Sequence, residues 1–252
     1  MVEIFDSLTH PTDFKNLDKL LKANKFSGAC AVGCEGYLGY NHEWYSNELK
    51  HFKNIVGIAG INPKSDRITE ELNYIKSLGF KGIKIHPRFS SLSLSEDSDN
   101  IIHTIHQAGK LGLVSYICTY LHTSIDKYPI TDPKLDLIKI LKKCSQSKVI
   151  LVHGGDIRLL EYAELARFNE NILLDLSYTI MKYQGSSLDL DIEYLFQTFD
   201  KRICVGTDYP DYTHKDLRIR LEQIIEKIDL SSEKTANIYS LNIKSFLGIT
   251  NE

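Results

Sequence analysis

The sequence has no surplus of basic charge: 30 Lys and Arg stand against 33 Asp and Glu, a formal net charge of −3. A chain that neutralises nucleic-acid phosphates needs a clear basic excess or a basic stripe, so no nucleic-acid partner is expected. Long apolar runs are missing as well. None approaches the roughly 18 residues that a membrane-spanning helix needs. Met1-Val2-Glu3-Ile4-Phe5-Asp6 lacks a basic region followed by an apolar stretch. These absences lead us to expect a cytoplasmic protein with no membrane partner. Cysteine is scarce and odd in number: Cys30, Cys34, Cys118, Cys144 and Cys204. Such a set, partly inside apolar runs, suits free thiols in a reducing compartment better than a disulfide framework. Cys30 and Cys34 lack a second pair at zinc-ribbon spacing and read as packing residues. Fifteen Gly and 6 Pro are too few for a fibrous or low-complexity chain. No Pro/Gly/Ser-rich linker splits the sequence, so residues 1–252 read as a single domain.

What the sequence does have is a regular alternation. Eight short apolar runs recur: Val2–Thr9, Gly28–Cys34, Ile55–Ile61, Gly82–His86, Leu113–Thr119, Val149–His153, Ile172–Ser177 and Ile203–Thr207. Most are almost continuously apolar, as parallel strands covered by helices should be. Amphipathic stretches lie among them, over Asp13–Ala23, Asp66–Leu78, Asn100–Lys110, Lys134–Ser145, Asp156–Phe168, Leu188–Phe199 and Asp216–Ile228. Gly79 suits a helix C-terminus, Pro133 a first helical turn, and Ser231-Ser232 the start of a last helix over Glu233–Leu247. Repeated strand–helix units predict an α/β fold: a single (β/α)8 barrel with an additional C-terminal helix. A doubly wound sheet would want a Gly-rich phosphate turn after the first strand. Asp6-Ser7-Leu8-Thr9-His10-Pro11 stands there instead.

In such a barrel the chemistry sits where the strands end. The polar groups at those ends are His10, Lys84, His86 with Arg88, Cys118, His153 before Gly154-Gly155, and Asp208 with Tyr209. These are metal-ligand and proton-transfer types converging on one rim. Lys84 alternates with Ile83 and Ile85, so it points into the barrel, toward an anion or an ion pair with Asp208 or Asp6. The paired glycines after His153 should let a substrate approach the backbone closely. Arg158, a few residues further on, is a candidate substrate contact. Tyr37, Tyr40, Trp44, Tyr120, Tyr178 and Tyr209 fall in or near expected rim loops, and Ser90–Asn100 reads as a long loop after the fourth strand.

The pieces Phe5–Pro11, Gly79–Pro87, Val152–Gly155, Val205–Pro210 and Asn237–Gly248 together resemble the amidohydrolase superfamily, specifically its amidohydrolase-related hydrolases and decarboxylases. The resemblance implies a His-x-His pair on strand one, a His on each of strands five and six, and an Asp on strand eight. Those positions fall on Leu8 and His10, Cys118, His153 and Asp208. The resulting metal set is His10, Cys118, His153 and Asp208, with Zn²⁺ as the implied ion, and it is degenerate because Leu8 cannot ligate. Some members bridge two metals with a carbamylated lysine at the place of Lys84.

The implied activity is hydrolysis of a C–O or C–N bond, in a lactone, ester or amide, of a small anionic metabolite. Asp208, His153 and Lys84 would be catalytic, with His86, Arg88, Arg158 and Tyr209 binding the substrate. Non-oxidative decarboxylation, metal-free lactone hydrolysis, or metabolite binding without turnover are the alternatives on the same fold. A homodimer is compatible with such barrels.

Overall fold

The computed structural model describes residues 2–37, 39–120 and 131–249. Its element order is β1 (Ile4–Thr9), α1 (Phe14–Ala23), β2 (Phe26–Val32), α2 (His42–Leu49), β3 (Ile55–Ile61) and α3 (Ile68–Ser77). Then follow β4 (Gly82–Ile85), α4 (Ser98–Lys110), β5 (Val114–Cys118), α5 (Pro133–Lys143), β6 (Val149–Val152) and α6 (Leu159–Arg167). The last part holds β7 (Ile172–Asp175), α7 (Thr179–Lys182), α8 (Leu188–Thr198), β8 (Ile203–Cys204), α9 (His214–Ile228), α10 (Ser232–Ala236) and α11 (Asn242–Leu247). The strands form one parallel sheet in sequential order, β1 to β8. This is the (β/α)8 barrel that the alternation predicts.

Two layers of apolar side chains hold it together. Alternate strand residues face outward and pack against the helices: Ile61, Ile83 and Ile117 belong to the same cluster as Leu21, Leu72, Ile105 and Leu141. The remaining strand residues fill the barrel interior, where Leu8, Val32, Ile58, Tyr116 and Val152 cluster. Ile243, Phe246 and Leu247 of α11 join this interior set beside Phe5 and Val114 at the strand starts. The C-terminal helix therefore closes the barrel floor, opposite the ends where the chemistry is expected.

The eighth strand is shorter than its apolar run. Thr207 turns its amide to the Asp6 carboxylate (3.0 Å) and its hydroxyl to the other Asp6 oxygen (2.6 Å). The backbone still closes on β1: Ser7 N donates to Val205 O, Asp208 N to Leu8 O and His10 N to Tyr209 O, all within 3.0 Å. Asp6 is thus spent on the β1–β8 seam, with His214 Nε2 3.1 Å from it, and does not pair with Lys84.

Two helical expectations change. The segment after β2 is α2, capped by Asn41, which accepts from the Trp44 amide. It buries little beyond Tyr45 and Ser46, so its sequence carries no strong apolar stripe. Trp44 is a packing residue in that helix, edge-on to Phe14 at 5.9 Å, and not part of a rim loop. The last helix is also not continuous: a π-helical turn over Asn237–Leu241 separates α10 from α11. Asn242 follows that turn and donates to Asp200 O (2.6 Å) and Ile203 O (2.7 Å), anchoring the start of β8. Among the described residues, no helix is long and apolar enough to cross a membrane.

Candidate active site

The strand ends open into a cavity of about 140 Å³. His10, Lys84, His86, Arg88, Cys118, His153 and Asp208 all line it, joined by Tyr37, Phe89, Tyr120 and Tyr178. Seven residues singled out at five strand ends thus share one space. The reason is topological: parallel strands in sequential order bring every C-terminal end to the same rim.

Asp208 stands at the centre. His10 Nε2 lies 3.3 Å from one of its oxygens and His153 Nε2 4.0 Å from the other. The far ring nitrogens fix both orientations. His10 Nδ1 is 2.6 Å from Val32 O and His153 Nδ1 is 2.9 Å from Ser177 O. A carbonyl only accepts, so each Nδ1 carries a proton and each Nε2 faces the carboxylate. Burial opposes charge on His153, but the Asp208 carboxylate and the Cys118 sulfur outweigh it and raise the imidazole to about 9. Burial likewise opposes charge on His10, yet Cys34 and Asp208 raise it well above the usual range. Burial would push the Asp208 carboxyl up; the His153 charge and the His10 hydrogen bond hold it well below the usual carboxylate range instead.

Cys118 sits against two of these histidines. Burial would raise its thiol, but the His86 charge and the His153 hydrogen bond bring it well below the ordinary value. Lys84 is 1% exposed and reaches the cavity. Among the described residues it forms no ion pair with Asp208 or any other carboxylate. Asp208 and Asp175 act on it only through space; a buried ammonium with no carboxylate in contact is costly, which marks the cavity as a place for an anion. His86 stacks on Phe89 at 4.1 Å and the Arg88 guanidinium lies 5.1 Å from the same ring.

Beneath the cavity is a carboxylate that sequence reasoning missed. Asp175, fully buried at the end of β7, accepts from the hydroxyls of Ser7 and Ser177 and from the His153 amide at 3.4 Å. It braces the backbone that carries His153. The apolar run Ile172–Ser177 held this Asp in plain view, but it reads as a strand residue and not a strand-end group.

Three expectations fail. Arg158 is held by Asp132 at 2.7 Å and by Glu161 at 2.7 Å; it stands at the start of α6 and lines neither this cavity nor its neighbour. Tyr209 also lines neither: its ring turns to His214, 6.0 Å away, while Pro210 and Asp211 reach the cavity. The glycine pair does not open the backbone to substrate. A Cβ on Gly155 would fall 2.1 Å from the Tyr162 ring, and one on Gly154 2.9 Å from Leu159. Both glycines carry positive φ and serve the tight turn out of β6.

The metal expectation can be tested on these contacts. Leu8 is fully buried in the interior cluster. His10 Nε2 and His153 Nε2 lie 3.3 and 4.0 Å from the two Asp208 oxygens, and each Nδ1 is held by a carbonyl. Among the described residues, no group of three or more His, Cys, Asp or Glu side chains is disposed to hold a metal ion. Leu8 leaves His10, Cys118, His153 and Asp208 one imidazole short of the set the resemblance implies, and the contacts show neither Zn²⁺ there nor a carbamate at Lys84.

The fold and site define the class: a (β/α)8 barrel with paired histidines around a strand-eight carboxylate. Residues 14–249 match the family model described as Amidohydrolase, and the chain belongs to that family of hydrolytic enzymes. No curated protein matches the chain. Among solved structures, it is similar to an uncharacterised TIM-barrel protein of Bordetella bronchiseptica (TM-score 0.79, 13% identity, 98% of this chain and 99% of that one). It is similar to a probable 2-pyrone-4,6-dicarboxylic acid hydrolase of Acinetobacter baumannii with citric acid bound (0.72, 15%, 98% and 99%). An amidohydrolase of Burkholderia multivorans with bound zinc is a further neighbour (0.71, 12%, 98% and 100%). At such identities these likenesses establish the fold.

Proposed function

We propose that this chain hydrolyses a C–O bond, in a lactone or ester, of a small anionic metabolite, using its own side chains. The observation that carries the reading is Lys84: a buried ammonium with no carboxylate at ion-pair distance among the described residues, opening on the cavity that holds Asp208. An anionic group of the substrate takes the place of the missing partner, with His86 and Arg88 on the same wall. Asp208 is ionised at any physiological pH and accepts a hydrogen bond from water, directing it at the carbonyl. Pairing with two imidazoliums makes Asp208 a weak base, so the step leans on the other side of the reaction. As the water oxygen bonds to the carbonyl carbon its proton passes to Asp208; protonated His153 donates from Nε2 to the oxyanion as it forms, gives its proton to the leaving oxygen as the C–O bond breaks, and is reprotonated from Asp208. The similar 2-pyrone-4,6-dicarboxylic acid hydrolase of Acinetobacter baumannii is named for an anionic ring ester, which supports this substrate class.

The test is a lactone and ester screen with release of acid as readout. Asp208→Asn should lower kcat by about 10³-fold or more while leaving binding of an anionic product nearly unchanged, and Lys84→Met should weaken that binding. If Asp208→Asn turns substrate over at the wild-type rate, the reading fails.

A further inference from the structure

A second and larger cavity, about 400 Å³, adjoins the first. The two share His86, Arg88, Cys118 and Tyr120, so these residues form a throat between them. The walls differ in kind. Beyond the throat, Leu92 and Leu94 from the loop after β4, Ile117 from β5, Pro133 and Leu137 from α5, and Tyr162 from α6 form an apolar wall, edged by the neutral hydroxyls of Ser91, Ser93, Ser95, Thr119 and Thr131. The carboxylate there, Asp136, is already taken by the Thr131 hydroxyl (2.7 Å) and the Lys139 ammonium (2.9 Å). Past Arg88, no lining side chain among the described residues offers a cation to an incoming anion. The catalytic cavity alone is smaller than the roughly 300–1,000 Å³ usual for small-molecule pockets; with the chamber, the space enters that range.

We infer that the chamber holds an uncharged apolar arm of the substrate while its anionic, reacting end stays at Lys84 and Asp208. The substrate class is then an amphipathic ester or lactone carrying an alkyl or phenyl group several carbons long. This rests on the reading of Lys84 as the anion contact. The chamber and the ammonium lie on opposite sides of Cys118 and His86, so the charged and apolar ends are sorted by position before any chemistry occurs.

Binding separates the two ideas without a known substrate. A series of straight-chain carboxylates from butyrate to decanoate is titrated into the intact protein by calorimetry. Each added methylene should tighten binding about fourfold, the equivalent of about 0.8 kcal/mol per buried CH₂, until the chamber is full. Leu94→Trp narrows the chamber from a half-buried loop position, so the rise should stop at a shorter chain with butyrate unaffected. Ser95→Trp on the same loop repeats the test should the first variant melt early. Lys84→Met should weaken every member by a similar factor. A series that stays flat with chain length while still depending on Lys84 overturns the chamber alone. A rise that is unchanged in both Trp variants places the arm elsewhere and overturns it too. A rise that the Trp variants cut short but Lys84→Met leaves untouched keeps the chamber and removes the anion contact.

Discussion

At the scale of residues, His153 carries the sharpest expectation. Its imidazole is raised to about 9, so it is protonated below that pH and loses the proton above it. The Asp208 carboxylate stays ionised far into acid. If His153 is the acid, kcat/KM should hold level through neutral pH and fall about tenfold per unit above about pH 9. His153→Gln should remove that alkaline limb and cost about 10²–10³-fold in rate, the size seen when one oxyanion donor is lost. Retention of the limb in the variant would assign it to another group. Metal content is a second check at this scale. Because Leu8 removes one imidazole from the implied ligand set, protein purified without added metal should contain well below one equivalent by elemental analysis. One zinc per chain, with turnover lost to a chelator, would show that the remaining donors suffice. His10, Lys84, His86, Arg88, Cys118, His153 and Asp208 were legible because a strand-end position needs only the strand pattern. Arg158 and Tyr209 were not, because their partners Asp132, Glu161 and His214 are fixed by packing that no local pattern encodes.

At the scale of elements, the turn from β6 into α6 shows why the site is where it is. His153, Gly154, Gly155 and Asp156 run in succession at positive φ. A non-glycine residue in that region is costly, and His153 is held there by Asp175 from below and Ser177 at its ring. Gly155→Ala would drive a Cβ into Tyr162 and add strain at φ +82°. It should cost about 1–3 kcal/mol in urea unfolding and lower activity by displacing His153. Gly36→Ala, at φ +74° but with open space around it, is the control and should cost no more than about 1 kcal/mol. The strands were readable because parallel strands buried on both faces are almost purely apolar. Helix α2 was not, since a short helix lying on Phe14 needs little apolar surface of its own. Nor was the early end of β8, which depends on an Asp6 side chain some two hundred residues away.

At the scale of the molecule, the barrel is closed by one seam between β1 and the segment after β8. Asp6 accepts from the amides of Leu8 and Thr207 and from the Thr207 hydroxyl, and that hydroxyl also accepts from the Tyr209 amide at 3.0 Å. Thr207→Val keeps the volume but leaves Asp6 and Tyr209 short of a partner. It should destabilise the whole domain by about 1–3 kcal/mol in a single cooperative transition. A variant as stable as the parent would show that the seam is held by strand pairing alone.

The same seam imposes an order in time. The Asp6–Thr207 contact joins residues 201 positions apart. A ribosome adding about 5–20 residues per second needs about 10–40 s to span that interval. Through that interval the nascent first strand lacks its final neighbour, and Asp208 does not yet exist to meet His10. The cavity is therefore the last part of the chain to become competent, and newly made protein should gain activity only after the stretch from Ile203 to Leu247 has left the exit tunnel.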